Sequence, residues 1–254
     1  MTARAALVTG AAGALGTAIS IALAERGWSV ALAGLPGEPL DALAERLGAA
    51  HGVRATVHVG DLGVADQASG VVDDAWDAHG GLHGLVNNAG RPTRSTFATL
   101  SIEEWDASMA VNLRAPMLTM QAFAARWSPD QGSGAIVNVS SRTYASGGPP
   151  AYVAAKAGLV GLTRAAAFEF GPRGIRVNAI APSMLVTPFT AGSRTAEQLA
   201  ASADVQARMS ALRRVPDVSE IAASAAYLLG PDSSFVTGEV LHVAGGLQLP
   251  PVPS

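Results

Sequence analysis

Short apolar runs rich in β-branched residues alternate with longer helical segments along the whole chain. The strand candidates are Ala5–Val8, Val30–Ala33, Thr56–Val59, Gly84–Asn87, Ala135–Val139, Arg176–Ile180 and Val240–Val243. The helical candidates are Leu15–Arg26, Pro39–Gly48, Val64–Ala78, Ile102–Trp127, Tyr152–Phe170 and Ser219–Leu229. Because strand, helix and strand in succession form parallel crossover units, the sequence predicts an α/β fold. We expect a single domain over residues 1–254, with a doubly wound parallel sheet of about seven strands and helices on both faces.

Composition excludes several classes of protein. Of the 254 residues, 49% are hydrophobic and 15% are charged, which is typical of a folded chain and not of a disordered one. The net charge of −3 and the absence of a Lys/Arg run give no support to a nucleic-acid partner. The chain has no Cys, so disulfides, thiolate nucleophiles and cysteine metal sites are excluded. None of the five His falls in a motif or at a ligand spacing, so we expect no metal site.

The hydropathy pattern bears on location. The opening MTARAALVTG carries one Arg and a short apolar run, which is unlike a signal peptide. Glu25-Arg26 interrupts the longest apolar stretch before it reaches the length of a membrane span. We therefore expect no membrane partner and a cytoplasmic location.

A glycine-rich turn follows the first strand candidate. It runs Thr9-Gly10-Ala11-Ala12-Gly13-Ala14-Leu15-Gly16 and leads directly into an amphipathic helix. Glycines let the backbone approach a pyrophosphate, and the helix N-terminus supplies N–H groups and a positive dipole end. Such a turn can also connect strand and helix without a ligand, but at the start of a Rossmann-like sheet it favours dinucleotide binding. The contacts it predicts are Gly10, Ala12, Gly13, Leu15 and Gly16.

The ends of the second and third strand candidates bear on the adenosine half of a dinucleotide. An acidic residue after the second strand holds the ribose hydroxyls of NAD, whereas an Arg takes the 2′-phosphate of NADP. Gly34 and Leu35, which we expect at the adenosine, are neither. The cofactor is therefore NAD or NADP, with a marginal preference for NAD because a cation is missing. Asp61, followed by Leu62, either accepts a hydrogen bond from the adenine amino group or caps a helix.

Tyr152 and Lys156 carry the sharpest chemical signal. They are four positions apart at the start of a helical candidate that follows Pro149-Pro150, so both side chains share one helical face. Lys156 is the only lysine among 17 basic residues, which indicates a position where arginine does not serve. An adjacent ammonium and a helix N-terminus both favour a phenolate, so we expect a lowered pKa for Tyr152 and a role in acid–base catalysis. The alternative is a surface Tyr–Lys pair.

Several motifs together resemble those of the short-chain dehydrogenase/reductase family: Thr9–Gly16, Asn87-Asn88-Ala89-Gly90, Asn112, Asn138-Val139-Ser140-Ser141, Tyr152 with Lys156, and Pro182 to Thr187. The resemblance covers essentially the whole chain in order. It implies an NAD(P)-dependent oxidoreductase that passes hydride directly between nicotinamide and the carbon of a secondary alcohol or ketone. It also implies a homo-oligomer, a tetramer or a dimer, with contacts through the Tyr152–Phe170 helix.

The resemblance also assigns residue roles. Tyr152 exchanges a proton with the reacting oxygen, Ser141 donates to the same oxygen, and Lys156 bonds the nicotinamide ribose. Asn112 anchors a water that relays protons. Further cofactor contacts are expected from Asn88, Ala89, Gly90, Val111, Pro182, Leu185 and Thr187. Two other functions use the same fold: an epimerase or dehydratase with retained cofactor, and a nucleotide-binding sensor without turnover.

The chain departs from the family between its serine and its tyrosine. Ser141 and Tyr152 are 11 positions apart, about two fewer than the resemblance implies, so the intervening loop is trimmed. Either Ser140 or Ser141 is then the donor to the substrate oxygen, and we favour Ser141.

The remaining predictions concern the substrate pocket and the C-terminal tail. Residues 188–216 break the strand–helix alternation with a weak helical pattern and are expected to form a substrate-binding loop. Further pocket walls are Arg91–Arg94, Arg142-Thr143-Tyr144 and Met184, whose arginines either bind a substrate carboxylate or are solvated. Met184, Leu185 and Phe189 indicate an apolar small-molecule alcohol or ketone. The Pro-rich tail 247–254 is expected to run as an extended arm.

Overall fold

A wholly parallel sheet of seven strands forms the centre of this computed structural model, which describes residues 4–191 and 195–249. In chain order the strands are β1 Ala5–Thr9, β2 Ser29–Gly34, β3 Ala55–Val59, β4 Gly84–Asn87, β5 Gly134–Val139, β6 Ile175–Pro182 and β7 Val240–Val243. They are arranged in the order β3-β2-β1-β4-β5-β6-β7. The predicted fold class is confirmed, and every strand candidate overlaps a strand.

Helices cover both faces of the sheet. One face carries α1 (Ala14–Ala24), α2 (Leu40–His51) and α10 (Val218–Leu229). The other face carries α3 (Ala65–His79), α5 (Ala115–Arg126) and α7 (Pro150–Phe170). The remaining helices are α4 (Ile102–Met109), α6 (Thr143–Ser146), α8 (Pro188–Ala191) and α9 (Ala196–Met209).

The strands are recognisable in the sequence because both sheet faces are covered. Every residue of β1, β2, β4, β5 and β6 is buried, so these strands are nearly continuous apolar runs. The direction of winding reverses between β1 and β4. In an open parallel sheet this reversal leaves a crevice at the carboxyl ends of the two strands, which is where such folds bind ligands.

The helical candidate 102–127 is interrupted. A π-helical turn over Ala110–Arg114 separates α4 from α5, and the Ala115 N–H donates to the Ala110 carbonyl five residues back. A π turn inserts one residue without ending the helix, so the apolar periodicity does not show it.

The segment 188–216 and the tail differ from expectation. The weak helical pattern contains α9, a helix of 14 residues that begins with a capping box between Thr195 and Gln198. Residues 247–249 lie in turns and not in an extended arm, because the Leu247 N–H donates to the Ala244 carbonyl and the Leu249 N–H to the Gly246 carbonyl. Residues 250–254 of the predicted arm lie outside the described residues.

The amino end of the sheet buries a guanidinium. Arg176, near the start of β6, is 9% exposed. Its Nη1 donates to the Leu228 carbonyl at 2.9 Å and to Ser233 Oγ at 3.0 Å, and its Nη2 donates to the Gly230 carbonyl at 3.1 Å. It thereby satisfies carbonyls at the C-terminus of α10, where the helix dipole also favours a cation. The sequence pattern indicates Arg176 only as the first residue of a strand candidate.

Among the described helices, none is both long and apolar enough to cross a membrane.

Candidate active site

A cleft of about 290 Å³ lies at the carboxyl ends of the central strands. Most of the predicted site residues line it: Gly10, Gly13, Leu15, Gly16, Asn88, Ala89, Gly90, Ser141, Tyr152, Lys156, Pro182, Leu185 and Thr187. Ser140, the alternative donor to the substrate oxygen, also lines it. Five further lining residues were not assigned to the cofactor or the chemistry: Ala14, Glu38, Val139, Phe189 and Thr190. The cleft therefore joins the glycine turn at one end to the Tyr152–Lys156 pair at the other.

The glycine turn is built without room for side chains. Gly10 has φ +61°, a conformation that favours glycine. A Cβ on Gly16 would lie 2.1 Å from the Gly10 carbonyl oxygen and 2.8 Å from the Ala11 Cα. Gly13 is the N-cap of α1, and its helix start has no side-chain cap. This open N-terminus fits the pyrophosphate of a dinucleotide.

Asn88 and Thr9 hold the turn in place. The Asn88 Nδ2 donates to the Thr9 carbonyl at 2.9 Å and to the Gly10 carbonyl at 3.1 Å. The Thr9 hydroxyl accepts from the N–H groups of Asn88 and Ala89, both at 3.0 Å. The side-chain amide of Asn88 thus connects the end of β4 to the glycine turn after β1. Its nitrogen therefore stabilises the conformation of the site.

An acidic side chain lies at the end of β2, where sequence analysis found none. The chain turns at Pro36-Gly37, and the Glu38 carboxylate folds back so that its Oε2 accepts the Leu35 N–H at 2.9 Å. A Cβ on Gly34 would lie 2.2 Å from this oxygen, so glycine leaves the space that the carboxylate occupies. The signal that could have found Glu38 is the acid three positions after Leu35, beyond a Pro-Gly turn.

Six predicted cofactor residues are not among those lining the cleft: Ala12, Gly34, Leu35, Asp61, Leu62 and Val111. The Asp61 Oδ1 accepts the Gly63 N–H at 2.8 Å, and its own N–H donates to the Gln67 Oε1 at 2.7 Å. Asp61 therefore stabilises the turn between β3 and α3. Val111 lies close by, since its Cγ2 would be 3.6 Å from a Cβ on Gly63.

Tyr152 and Lys156 lie side by side on the first turns of α7. The Lys156 side chain is 3% exposed, and its Nζ donates to the Val139 carbonyl at 2.8 Å. The same Nζ lies 5.6 Å from the centroid of the Tyr152 ring. Burial lowers the pKa of Lys156 to about 8, because a buried ammonium is poorly solvated.

The predicted lowering of the Tyr152 pKa is wrong for this structure. Burial raises the pKa of the phenol to about 12, and the hydrogen bond with Ser141 opposes that shift. The physical reason is the direction of the ammonium, which contacts the ring face and bonds the Val139 carbonyl. Desolvation of the phenolate is then the larger effect.

The two serines have different partners. Ser140 is buried, and its hydroxyl donates to the Lys156 carbonyl at 3.0 Å, which fixes β5 to α7. The Ser141 oxygen accepts from the Thr143 hydroxyl at 2.9 Å and from the Thr143 N–H at 3.3 Å. The hydroxyl proton of Ser140 is thus committed to a carbonyl, whereas the two bonds from Thr143 leave the proton of Ser141 uncommitted.

Asn112 lies in the π-helical turn and is fully buried. Its Nδ2 donates to the Arg91 carbonyl at 2.9 Å and to Ser108 Oγ at 3.1 Å, and its Oδ1 accepts the Arg91 N–H at 3.1 Å. The side chain therefore fixes the loop after β4 and is not among the residues that line the cleft.

Of the predicted substrate walls, Phe189 lines the cleft, whereas Arg91–Arg94, Arg142–Tyr144 and Met184 do not. Arg94 Nη2 donates to the Thr190 carbonyl at 3.2 Å. Arg142 donates to Ser146 Oγ at 2.9 Å and to Gln206 Oε1 at 3.3 Å. These two arginines thus join the loops after β4 and β5 to the segment that contains α8 and α9. Within residues 4–191 and 195–249, no group of three or more His, Asp or Glu side chains is arranged to hold a metal ion.

Comparisons with known proteins agree with this geometry. Residues 10–248 match the family model described as Enoyl-(Acyl carrier protein) reductase. The chain is 36% identical over 249 residues to (2S)-[(R)-hydroxy(phenyl)methyl]succinyl-CoA dehydrogenase subunit BbsD of Thauera aromatica, covering 97% of each chain. It is 34% identical over 252 residues to 3-oxoacyl-[acyl-carrier-protein] reductase FabG of Thermotoga maritima, covering 96% of this chain and 97% of the relative.

Solved structures lead to the same class. A putative short-chain alcohol dehydrogenase from Sinorhizobium meliloti 1021 superposes with a TM-score of 0.89 at 34% identity, covering 97% of each chain. An NAD+-bound xylitol dehydrogenase and a blue fluorescent protein from a metagenomic library in complex with NADPH each give a TM-score of 0.86 at 30% identity, covering 96% of this chain and 98% of theirs. The fold and cleft define a dinucleotide-dependent oxidoreductase. The chain belongs to the short-chain dehydrogenase/reductase family of NAD(P)-dependent oxidoreductases.

Proposed function

We propose that the protein interconverts a secondary alcohol and a ketone with NAD as the hydride carrier. The observation that carries this proposal is one cleft shared by the glycine turn and by the side chains of Ser141, Tyr152 and Lys156. Two of the relatives, the (2S)-[(R)-hydroxy(phenyl)methyl]succinyl-CoA dehydrogenase subunit and the 3-oxoacyl-[acyl-carrier-protein] reductase, support chemistry between an alcohol and a carbonyl group.

Each side chain has a task in this chemistry. When bound, a nicotinamide cofactor would supply the hydride exchange with the substrate carbon. Tyr152, whose pKa is about 12, is protonated at neutral pH and donates its proton to the ketone oxygen during reduction. Ser141 donates a hydrogen bond to the same oxygen and stabilises the charge that develops there. Lys156 holds the nicotinamide ribose through its ammonium, which makes one hydrogen bond among the described residues.

Asn112 is assigned to the proton relay in this proposal, as the residue beside which the relay water binds. The π-helical turn at Asn112 supports this, because such turns are frequent at functional sites. Leu185 and Thr187, which line the cleft after β6, orient the nicotinamide carboxamide.

The preference for NAD over NADP rests on Glu38. A carboxylate has about four sites for accepting hydrogen bonds, and the Leu35 N–H occupies one of them. The remaining sites suit the two hydroxyls of the adenosine ribose, whereas a 2′-phosphate at the same place would meet a like charge. NAD is therefore the cofactor that the end of β2 favours.

Fluorescence titration with NADH and NADPH tests the preference. Glu38→Gln is expected to weaken NADH binding roughly tenfold and to leave NADPH binding unchanged or stronger, because a charge-assisted hydrogen bond and a repulsion are removed together. Glu45→Gln, an exposed acid on α2, is the matched control. An unchanged ratio of the two dissociation constants in Glu38→Gln would show that Glu38 does not select the cofactor.

Turnover across a panel of ketones and secondary alcohols tests the reaction. Tyr152→Phe keeps the ring and removes the proton, so kcat is expected to fall at least ~100-fold while NADH binding stays as in the wild type. Substantial activity in Tyr152→Phe would overturn the acid–base assignment. Cofactor binding by the wild type without turnover would favour a sensor, and turnover without net change in nicotinamide would favour an epimerase or dehydratase.

We also propose that the protein is a single-domain homo-oligomer, a tetramer or a dimer. Phe168 on α7 is 89% exposed, and Gly161 on the same helix has open space beside it. Gly158 instead packs inside the chain, since its Cβ would lie 3.0 Å from the Leu113 side chain. Light scattering that gives a particle of 25.6 kDa, the mass of one chain, would contradict the assembly.

A further inference from the structure

The oxygen of Ser141 receives two hydrogen bonds from one residue. The Thr143 hydroxyl donates to it at 2.9 Å and the Thr143 N–H donates to it at 3.3 Å. A hydroxyl oxygen has two lone pairs and one proton. Both lone pairs of the Ser141 oxygen are then engaged. Any further hydrogen bond that Ser141 makes therefore uses its own proton.

Ser141 lies at the reacting end of the cleft, beside Tyr152 and Lys156 in its lining. Ser141 and Tyr152 both line the cleft, and the interaction of Ser141 with the phenol lowers the Tyr152 pKa against the effect of burial. A donor to the phenol oxygen has this effect, because it stabilises the phenolate.

Thr143 is itself held firmly. Its Cγ2 methyl packs beside Gly148, where a Cβ would lie 3.6 Å away. The next residue, Tyr144, hydrogen-bonds through its hydroxyl to His242 Nε2 at 3.1 Å and stacks on that ring, which attaches α6 to β7. The Tyr144 N–H also donates to the Ser141 carbonyl at 3.1 Å. These contacts attach the start of α6, and with it Thr143, to β7 and to the end of β5.

We propose that Thr143 is a positioning residue that fixes the Ser141 hydroxyl as a hydrogen-bond donor to the reacting oxygen. The proposal rests on the function proposed above, in which Ser141 and Tyr152 act on one substrate oxygen. It also gives a role to the trimmed loop between Ser141 and Tyr152, since α6 starts at Thr143, directly beside the serine.

A purely structural role makes a different prediction. If Ser141 only caps the first turn of α6, the N–H bond from Thr143 is sufficient and the threonine hydroxyl is dispensable. Thr143→Val keeps the shape and the N–H but removes the hydroxyl, whereas Thr143→Ser keeps the hydroxyl and removes the methyl. The two variants therefore separate positioning through the hydroxyl from packing.

The kinetic test compares both variants with the wild type. Thr143→Val is expected to lower kcat roughly tenfold with KM for NADH unchanged, because the interaction is made at the reacting oxygen and not at the cofactor. In Thr143→Val the Ser141 oxygen can accept a hydrogen bond from the Tyr152 phenol, which stabilises the protonated form of Tyr152. The pH at half-maximal alcohol oxidation therefore moves upward. Thr143→Ser is expected to behave as the wild type. Lys156, the charged group against the Tyr152 ring, is the same in all three proteins.

Crystal structures of the two variants supply a readout that does not depend on turnover. Ser141 is expected to keep one rotamer in Thr143→Ser and to take another, or several, in Thr143→Val. An unchanged Ser141 rotamer in Thr143→Val, or a Thr143→Val enzyme with wild-type kcat and pH profile, overturns the proposal. A wild type without turnover on any alcohol or ketone instead overturns the proposed function, and the rotamers then decide the role of Thr143.

Discussion

Two buried cations at opposite ends of the sheet have different environments. Arg176 lies at the amino end and Lys156 at the carboxyl end, and they are 9% and 3% exposed. Arg176 makes five hydrogen bonds, to four carbonyls and the Ser233 hydroxyl, with both terminal nitrogens. Among the described residues Lys156 makes one, to the Val139 carbonyl, although an ammonium has three protons to donate.

The difference separates a structural cation from a functional one. Arg176 donates to three successive carbonyls at the end of α10, those of Leu228, Leu229 and Gly230, so its burial serves the fold. Burial lowers the pKa of Lys156, and the residue lines the cleft with N–H donors to spare. Because Lys156 lines the cleft, its two further N–H donors can serve a ligand there, whereas Arg176 is not among the lining residues.

Replacing Lys156 has the largest expected effect. Lys156→Met is expected to lower turnover at least ~1000-fold, because the ribose contact and the adjacent charge are both lost. The same change is expected to raise the free energy of unfolding near pH 7 by about 2 kcal/mol. It removes a buried charge whose pKa is lowered to about 8, and this gain exceeds the loss of one hydrogen bond. Activity assays and chemical denaturation measure the two effects. A Lys156→Met protein that is less stable than the wild type would contradict the contrast between Lys156 and Arg176.

Replacing Arg176 in the same way is expected to have the opposite effect on stability. Arg176→Met removes five hydrogen bonds at the end of α10, including the one to the Leu229 carbonyl, and is expected to lower the free energy of unfolding by roughly 3 kcal/mol, or the melting temperature by about 10 °C. NADH binding by the folded fraction stays as in the wild type, because Arg176 is not among the residues lining the cleft. Arg164→Met, at an exposed position on α7, is the control. An unaltered melting temperature in Arg176→Met would show that the carbonyls find other donors.

The pH dependence of stability sharpens the contrast further. The folded pKa of Lys156, about 8, lies below its usual value of 10.5, so between these values the unfolded chain binds more protons than the folded one. Wild-type stability attributable to this group therefore rises as pH increases through that window and is lost as pH falls towards 8. The advantage of Lys156→Met is expected to shrink by roughly 2 kcal/mol between neutral pH and pH ~9.5. A gap that is constant with pH would contradict the lowered pKa.

Much of the fold could be predicted because buried parallel strands and amphipathic helices leave distinct patterns. The runs that became β1 and β5, for example, are apolar on both faces, and Tyr152 and Lys156 share a helix face by spacing alone. Features that depend on where a side chain turns were not predictable. The Glu38 carboxylate reaches back across a Pro-Gly turn, and Arg176 reaches a helix end more than fifty positions away. The Tyr152 pKa depends on desolvation, which spacing does not reveal.

A crystal structure of the protein with NAD tests the central claim most directly. The account predicts that the pyrophosphate lies at the Gly10–Gly16 turn, with Glu38 on the adenosine ribose and Lys156 and Tyr152 beside the nicotinamide ribose and ring. A dinucleotide bound elsewhere, or one whose nicotinamide lies away from Tyr152 and Lys156, would contradict it.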